Sequence, residues 1–161
     1  MPLLLSCGQT YYIVRHAEKA QPSSGTTMTT TNDPPLSSEG LQRAEALKET
    51  LANKGIRHIY STNTIRTLST VAPLSRHLNI TPKLYSRIDE AFVAELKSLK
   101  NNALIVGHSN TIDDIVNRLS GQQHVAGDLP DSVYNHLYIL KNRRGKLSFV
   151  SKRYGNQSSF R

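Results

Sequence analysis

The chain has 161 residues, is 37% hydrophobic and lacks tryptophan, a size and composition suited to one domain around a single core. Its formal charge of +8 favours anionic partners, a class that takes in nucleic acid, phosphate esters and acidic lipid. No stretch approaches the roughly 18 apolar residues of a spanning helix, and the one cysteine, Cys7, excludes an internal disulfide or a cysteine-based zinc cluster.

Residues 1–9 read as a leader and 10–161 as a single domain. "MPLLLSCGQ" resembles the end of a bacterial lipoprotein signal, in which an apolar run and a small residue precede a cysteine that becomes lipidated. The run before Cys7 is shorter than the roughly 7–15 apolar residues of a secretory signal. The expectation is a lipid anchor at Cys7 and a periplasmic or cell-envelope location. The alternative is an apolar leader packed on the edge of a cytoplasmic domain.

"TYYIVR" is an apolar strand, and residues 20–35, small, polar and rich in Thr, Ser and Pro, form a loop. Ser37 or Ser38 then caps an amphipathic helix with apolar residues at 41, 44, 47 and 51, closed by Gly55. "IRHIYST" is a second strand, followed by a helix from about Asn63 to Leu78. "ITPKLY", with Pro82 inside it, suits an edge strand. A short helix over 90–100 leads into "NALIVG", a buried strand, and "SNTIDDIVNRLSG" is a further helix ended by Gly121. After a second loop, 121–133, "YNHLYILK" and "KLSFVSKRY" form a hairpin turned at "NRRG".

Strands alternating with helices specify an α/β fold: a three-layer sandwich with a mainly parallel central sheet, helices on both faces, and the antiparallel hairpin at the C-terminal edge.

Three strand ends carry similar chemistry. "YYIVRH" ends in Arg15 and His16, "HIYSTNTIRT" places Arg66 in the first turn after a strand, and "ALIVGHSNT" ends in His108. Open α/β sheets bind ligands beyond the carboxyl ends of their strands, where helix N-termini offer free N–H groups to anions. Two histidines and two arginines at such ends make a cationic, phosphate-sized site. Ser109 and Asn110 cap the helix after His108 or touch the same anion. His58, His77, His124 and His136 show no metal-ligand spacing and read as structural.

"VRHAEK", "LSSEGLQRAEAL", "YSTNTIRTLSTVAPLS" and "LIVGHSNTI" resemble, in that order, the blocks of the histidine phosphatase superfamily, the phosphoglycerate-mutase-like group with the Arg-His-Gly motif. The likeness runs from residue 10 to about 140, with Ala17 in place of the motif's glycine. It implies that His16 is the nucleophile, that Arg15 and Arg66 clamp the phosphate, and that His108 is a further donor to the transferring oxygens. A histidine attacks only when neutral, and flanking positive charge keeps it so.

The resemblance places the general acid between the arginine helix and the second histidine, where "SRIDEAF" offers Asp89 and, preferred, Glu90. Glu18 is suited to orienting an arginine, and Asp128 and Asp131 are further candidates. The implied activity is a phosphatase without metal or cofactor, acting on a phosphorylated small molecule or phosphoprotein, with phosphate or sulfate held in the site. The shortness of the segment from Arg66 to His108 resembles the compact phosphohistidine phosphatases. Alternatives are a phosphomutase, or a non-catalytic module that binds an anion or nucleic acid. The basic "KNRRGKLSFVSKRY" reads as a hairpin charged for solubility, with nucleic acid or anionic lipid as the other reading; no nucleic-acid partner is expected.

Overall fold

The computed structural model describes residues 8–21 and 32–156. Cys7, where the sequence suggests an anchor, and most of the first loop lie outside the described residues. In chain order the elements are β1 (Gln9–Arg15), α1 (Ser38–Leu51), β2 (Ile56–Ser61), α2 (Ile65–Leu78), β3 (Lys83–Leu84), α3 (Glu90–Ser98), β4 (Asn102–Gly107), α4 (Ile112–Ser120), β5 (His136–Arg143) and β6 (Lys146–Arg153). They make one six-stranded sheet in the order β3-β2-β4-β1-β5-β6. The first four in that order run parallel, and β5 and β6 are antiparallel to their neighbours. This is the expected α/β arrangement.

The central strands β1 and β4 are buried on both faces, which is why they read as continuous apolar runs rather than alternating ones. Tyr11 and Ile13 face a core completed by Phe92 and Leu96 of α3 and Ile112, Ile115 and Leu119 of α4. Tyr12 and Val14 face the other core, with Leu47 and Leu51 of α1 and Val71 and Leu74 of α2. Each fully buried side chain of this kind contributes about 1.5–3 kcal/mol.

Ser37 caps α1 by accepting the Gly40 N–H at 3.1 Å. The inward stripe departs from the expected one. Leu41 is 56% exposed, and Arg43 is buried in its stead at 4%. Gly40 allows the close approach: a Cβ there would lie 2.2 Å from the Glu18 carbonyl oxygen, where the chain beyond β1 crosses α1. A residue with a side chain would push the two segments apart.

The remaining departures concern boundaries. β3 keeps only the two residues after Pro82, whose missing N–H cannot join a ladder. α2 continues through Pro73 and ends at Asn79 in the left-handed region, φ 54°. α4 begins at Ile112 rather than Ser109, because residues 109–111 form a tight turn. The hairpin turns at Arg144 and Gly145, both with positive φ, the pattern of a two-residue turn matched to strand twist.

Candidate active site

His16 directly follows β1, and its N–H donates to the Gly107 carbonyl at 2.9 Å, extending the β1–β4 ladder by one bond. The side chain is therefore delivered from the sheet's carboxyl edge, and it is only 4% exposed. Its Nδ1 lies 2.8 Å from the Ala17 carbonyl oxygen, which can only accept. That contact assigns the ring proton to Nδ1 and leaves the lone pair on Nε2. Burial, reinforced by Arg15, His108 and Arg66, lowers the pKa to about 3 against the upward pull of the Ala17 bond. His16 is neutral at physiological pH.

Ala17 stands where the motif's glycine was expected. Its N–H donates to Thr70 Oγ1 at 2.8 Å, and that hydroxyl donates to the Arg66 carbonyl at 2.7 Å. Its methyl packs in a small cluster with Leu36 and Ala44. Among the described residues only Asn79 and Arg144 are non-glycines with positive φ, so the backbone at Ala17 is one that alanine adopts without strain.

Arg15 is buried under the loop before β5. Its Nη1 donates to the carbonyls of Pro130, Asp131 and Val133 at 3.0, 3.3 and 2.9 Å. Nη2 is 3.5 Å from the Asp131 carboxylate, and the guanidinium lies 4.1 Å from the centre of the Tyr134 ring. Nε is buried and has no hydrogen-bond partner among the described residues. Arg15 thus holds the loop, with its Nε–H left unpaired among the described residues.

Arg66, in the first turn of α2, donates through Nη1 to Asp33 Oδ1 at 3.0 Å, and Nη2 is 3.4 Å from His108 Nδ1. A guanidinium only donates, so His108 Nδ1 accepts and Nε2 carries the proton. Nε2 in turn lies 2.9 Å from Thr62 Oγ1. Burial, then Arg66 and Arg15, lower the pKa of His108 as well. The imidazoles of His16 and His108 meet edge to face, centroids 5.4 Å apart, and Tyr134 is 5.9 Å from His16. A cleft of about 540 Å³ opens beside His108, between Thr62, Tyr85 and Asp114.

Gly107 shapes the turn that presents His108. A Cβ there would meet the Tyr85 hydroxyl and Thr111 Oγ1, each at 2.8 Å. Thr111 Oγ1 accepts the His108 N–H at 2.9 Å and donates to the His108 carbonyl, whereas Ser109 and Asn110 form the turn itself.

The four strand-end residues are thus brought together, and the acidic candidates disperse. Asp89 caps α3, accepting the Phe92 N–H at 3.0 Å. Glu90 is exposed on α3, in a shallow cleft with Val93, Ala94, Lys97 and Arg118 that includes none of the four. Glu18 receives the Arg43 guanidinium in a fork, Nε at 2.9 and 2.8 Å and Nη2 at 2.6 Å. Asp128 is exposed, and Asp131 is the one of these that contacts a site arginine. The outlying histidines pack elsewhere, His124 stacked on Phe149 and His136 beside Tyr138. Among the described residues no group of three or more His, Cys, Asp or Glu is arranged to hold a metal.

Asp33, Thr62, Thr70 and Tyr134 were not singled out from the sequence. Asp33 stands in "NDPP" just before α1, yet its carboxylate acts at the start of α2, a pairing no local pattern announces.

A family model described as the histidine phosphatase superfamily (branch 1) matches residues 11–134, a span that contains Arg15, His16, Arg66 and His108. The chain belongs to that superfamily. Among solved structures, this superfamily member is similar to the putative phosphohistidine phosphatase SixA from Agrobacterium tumefaciens, at 19% identity and a TM-score of 0.61, with 91% of this chain and 97% of that one covered. A protein histidine phosphatase SixA complexed with tungstate is 13% identical, with a TM-score of 0.66 and coverage of 89% and 96%. A mycobacterial glucosyl-3-phosphoglycerate phosphatase is 14% identical, with a TM-score of 0.64 and coverage of 94% and 100%. At these identities the likeness establishes a shared fold, that of compact phosphatases. No curated protein sequence matches the chain.

Proposed function

We propose that this superfamily member is a phosphatase that hydrolyses a phosphate monoester or a phosphohistidine through a covalent phosphohistidine on His16, without a metal. One observation carries the reading. The Nδ1 contact to the Ala17 carbonyl leaves a neutral His16 with its Nε2 lone pair free beside two arginines and a second histidine.

In the proposed first step Nε2 attacks phosphorus as the bond to the leaving oxygen or nitrogen breaks. Charge spreads over the three equatorial oxygens and is met by the Arg15 and Arg66 guanidinium groups, with His108 donating once its Nε2–H leaves Thr62 Oγ1 for a phosphoryl oxygen. Water then attacks phosphorus, the Nε2–P bond breaks, inorganic phosphate departs and His16 is neutral again. Arginine's planar fork suits this better than lysine's point charge.

An alkoxide leaving group needs a proton. We assign that role to Asp131, at the Arg15 end of the site, rather than to Glu90, which lines a separate cleft with Lys97 and Arg118. A phosphohistidine leaves as neutral imidazole once its other ring nitrogen is protonated, a proton that solvent supplies near neutral pH, so the site suits it with or without Asp131. The chain between Arg66 and His108 holds only the rest of α2 with β3, α3 and β4, which favours a phosphatase over a mutase that must enclose a sugar acid.

The test is hydrolysis of p-nitrophenyl phosphate with EDTA present, comparing the wild type with His16→Ala. Turnover that disappears in the variant supports the nucleophile, and equal turnover in both sinks the reading. A phosphohistidine-bearing protein and small esters, assayed side by side, then rank the substrates. Asp131→Asn is expected to slow alkyl esters more than p-nitrophenyl phosphate, whose leaving group needs no acid.

A further inference from the structure

The site continues along the carboxyl edge of the sheet past the residues that meet the phosphate. The order β1, β4, β2, β3 sets Arg15 and His16, then His108, then Thr62, then Tyr85 at successive strand ends. The cleft of about 540 Å³ beside His108 lies toward the far end of this row, and its lining includes Thr62, Tyr85, Ile88 and Asp114. On the Arg15 side the loop before β5 covers the site, its carbonyls held by the guanidinium. A substituent on a phosphate held at His16 and His108 has this cleft to run into.

One part of the lining is apolar and fixed. The Tyr85 hydroxyl donates to the Val106 carbonyl at 2.8 Å, and its ring is stacked on Phe92 with centroids 4.5 Å apart. Its hydrogen-bonding capacity is thereby occupied, and what it offers the cleft is ring surface. Ile88 packs against the same core cluster. Clefts of this kind bind the body of a ligand by apolar contact and orient it by a few polar groups.

The charged group is Asp114, in the first turn of α4, exposed and without an ion-pair partner among the described residues. No lysine or arginine is among the described residues that line the cleft, although the chain carries a formal charge of +8. A first-turn carboxylate is favoured by the helix dipole alone. Asp113 already supplies one, with its Oδ1 buried and its side chain outside the cleft lining. The dipole therefore does not account for a second carboxylate on the wall of the cleft.

The charges around the phosphate point the same way. Arg66 is paired with Asp33 at 3.0 Å, and Arg15 lies 3.5 Å from the Asp131 carboxylate. A bound phosphate dianion takes up what these two cations still offer, so a second anionic group on the substrate would meet Asp114 uncompensated. We infer that Asp114 selects a leaving group carrying a positively charged nitrogen on an apolar stem, the stem against Tyr85 and Ile88 and the nitrogen at the carboxylate. The inference rests on the phosphatase reading above and adds the substrate class, amine-bearing phosphates rather than phosphorylated acids. Asp114 is then a specificity-determining residue that takes no part in proton transfer.

The experiment measures the affinity of the full chain for three phosphonates of matched length, aminopropylphosphonate, butylphosphonate and phosphonopropionate. Their carbon–phosphorus bond resists hydrolysis, so calorimetry at neutral pH and physiological salt reads binding independently of turnover. The amine is expected to bind about fivefold more tightly than the acid, as one exposed ion pair gives, with butylphosphonate between them. Asp114→Asn should bring amine and acid within about twofold of each other, and Asp114→Lys should reverse their order. An acid that binds as tightly as the amine, an order that survives Asp114→Lys, or no binding of any of the three would overturn the inference. The nucleophile is tested apart from this, by p-nitrophenyl phosphate turnover in His16→Ala. A flat phosphonate ranking beside turnover that His16→Ala abolishes fails the cleft alone, and the expected ranking beside turnover that survives His16→Ala fails the nucleophile alone.

Discussion

Asp33 grips Arg66 with one oxygen and the start of α2 with the other: Oδ1 accepts from Arg66 Nη1 at 3.0 Å, and Oδ2 accepts the Ile65 N–H at 2.8 Å. The carboxylate thereby fixes the guanidinium so that Nη2 faces His108. Asp33 is a positioning residue supplied by the loop after β1. Asp33→Ala is expected to lower kcat/KM for p-nitrophenyl phosphate about tenfold, the worth of one charge-assisted bond. The unfolding free energy should change by less than about 1 kcal/mol, since the pair is partly exposed. Asn at this position keeps the bond to the Ile65 N–H and should restore part of the activity. Unchanged kinetics in both variants would remove the role.

Arg43 joins three segments. Its Nε and Nη2 fork onto Glu18, two residues past His16, while Nη1 and Nη2 donate to the carbonyls of Tyr154 and Asn156 at 2.9 Å each. Arg43→Ala leaves the largely buried Glu18 unpaired and should cost about 3 kcal/mol, read as a lower urea midpoint. The double variant Glu18→Gln/Arg43→Met should recover much of that loss. If the double variant is as unstable as the single, the cost lies in packing rather than charge.

Acid should destabilise this protein through its site histidines. His16 has a folded pKa near 3, below the ordinary histidine value, and burial lowers His108 too. Between about pH 6.5 and 3 the unfolded chain takes up protons that the folded His16 refuses, so stability falls as pH falls through that window. Urea unfolding at pH 7 and pH 5 should show a smaller drop in His16→Gln than in the wild type. An equal drop would assign the acid sensitivity elsewhere.

Two glycine-to-alanine variants separate crowding from backbone strain. Gly40→Ala puts a methyl 2.2 Å from a backbone oxygen and should cost about 2–3 kcal/mol. Gly121→Ala, with φ 70° and open space around it, should cost about 1 kcal/mol from conformation alone. Thermal unfolding that ranks them the other way would contradict the tight crossing of α1 over residue 18.

Long, strongly patterned elements were legible along the chain. β1 and β4 announce burial on both faces by their apolar runs, and α1 and α2 carry caps at Ser37 and Thr64. The strand ends bearing Arg15, His16, Arg66 and His108 followed from the alternation of strand and helix. The inward face of α1 was misread because an arginine counts as polar in any periodicity, and only Glu18 and two carbonyls make its burial favourable. Glu90 drew attention by its place between Arg66 and His108. Sequence spacing does not say which way the first turn of α3 points, and the fold turns it outward.

The sequence by itself determined the fold class and which residue types stand at the carboxyl edge of the sheet, because hydrophobic period and strand-helix alternation are local properties of the chain. Tertiary structure alone decided what those residues do to one another. The tautomer of His16, the hold of Arg15 on the loop before β5, the grip of Asp33 on Arg66 and the pairing of Glu18 with Arg43 join segments from 1 to more than 110 positions apart. Hydrogen bonds and burial act over ångströms in space, and the packing of α1 and α2 against β1 brings those atoms into range.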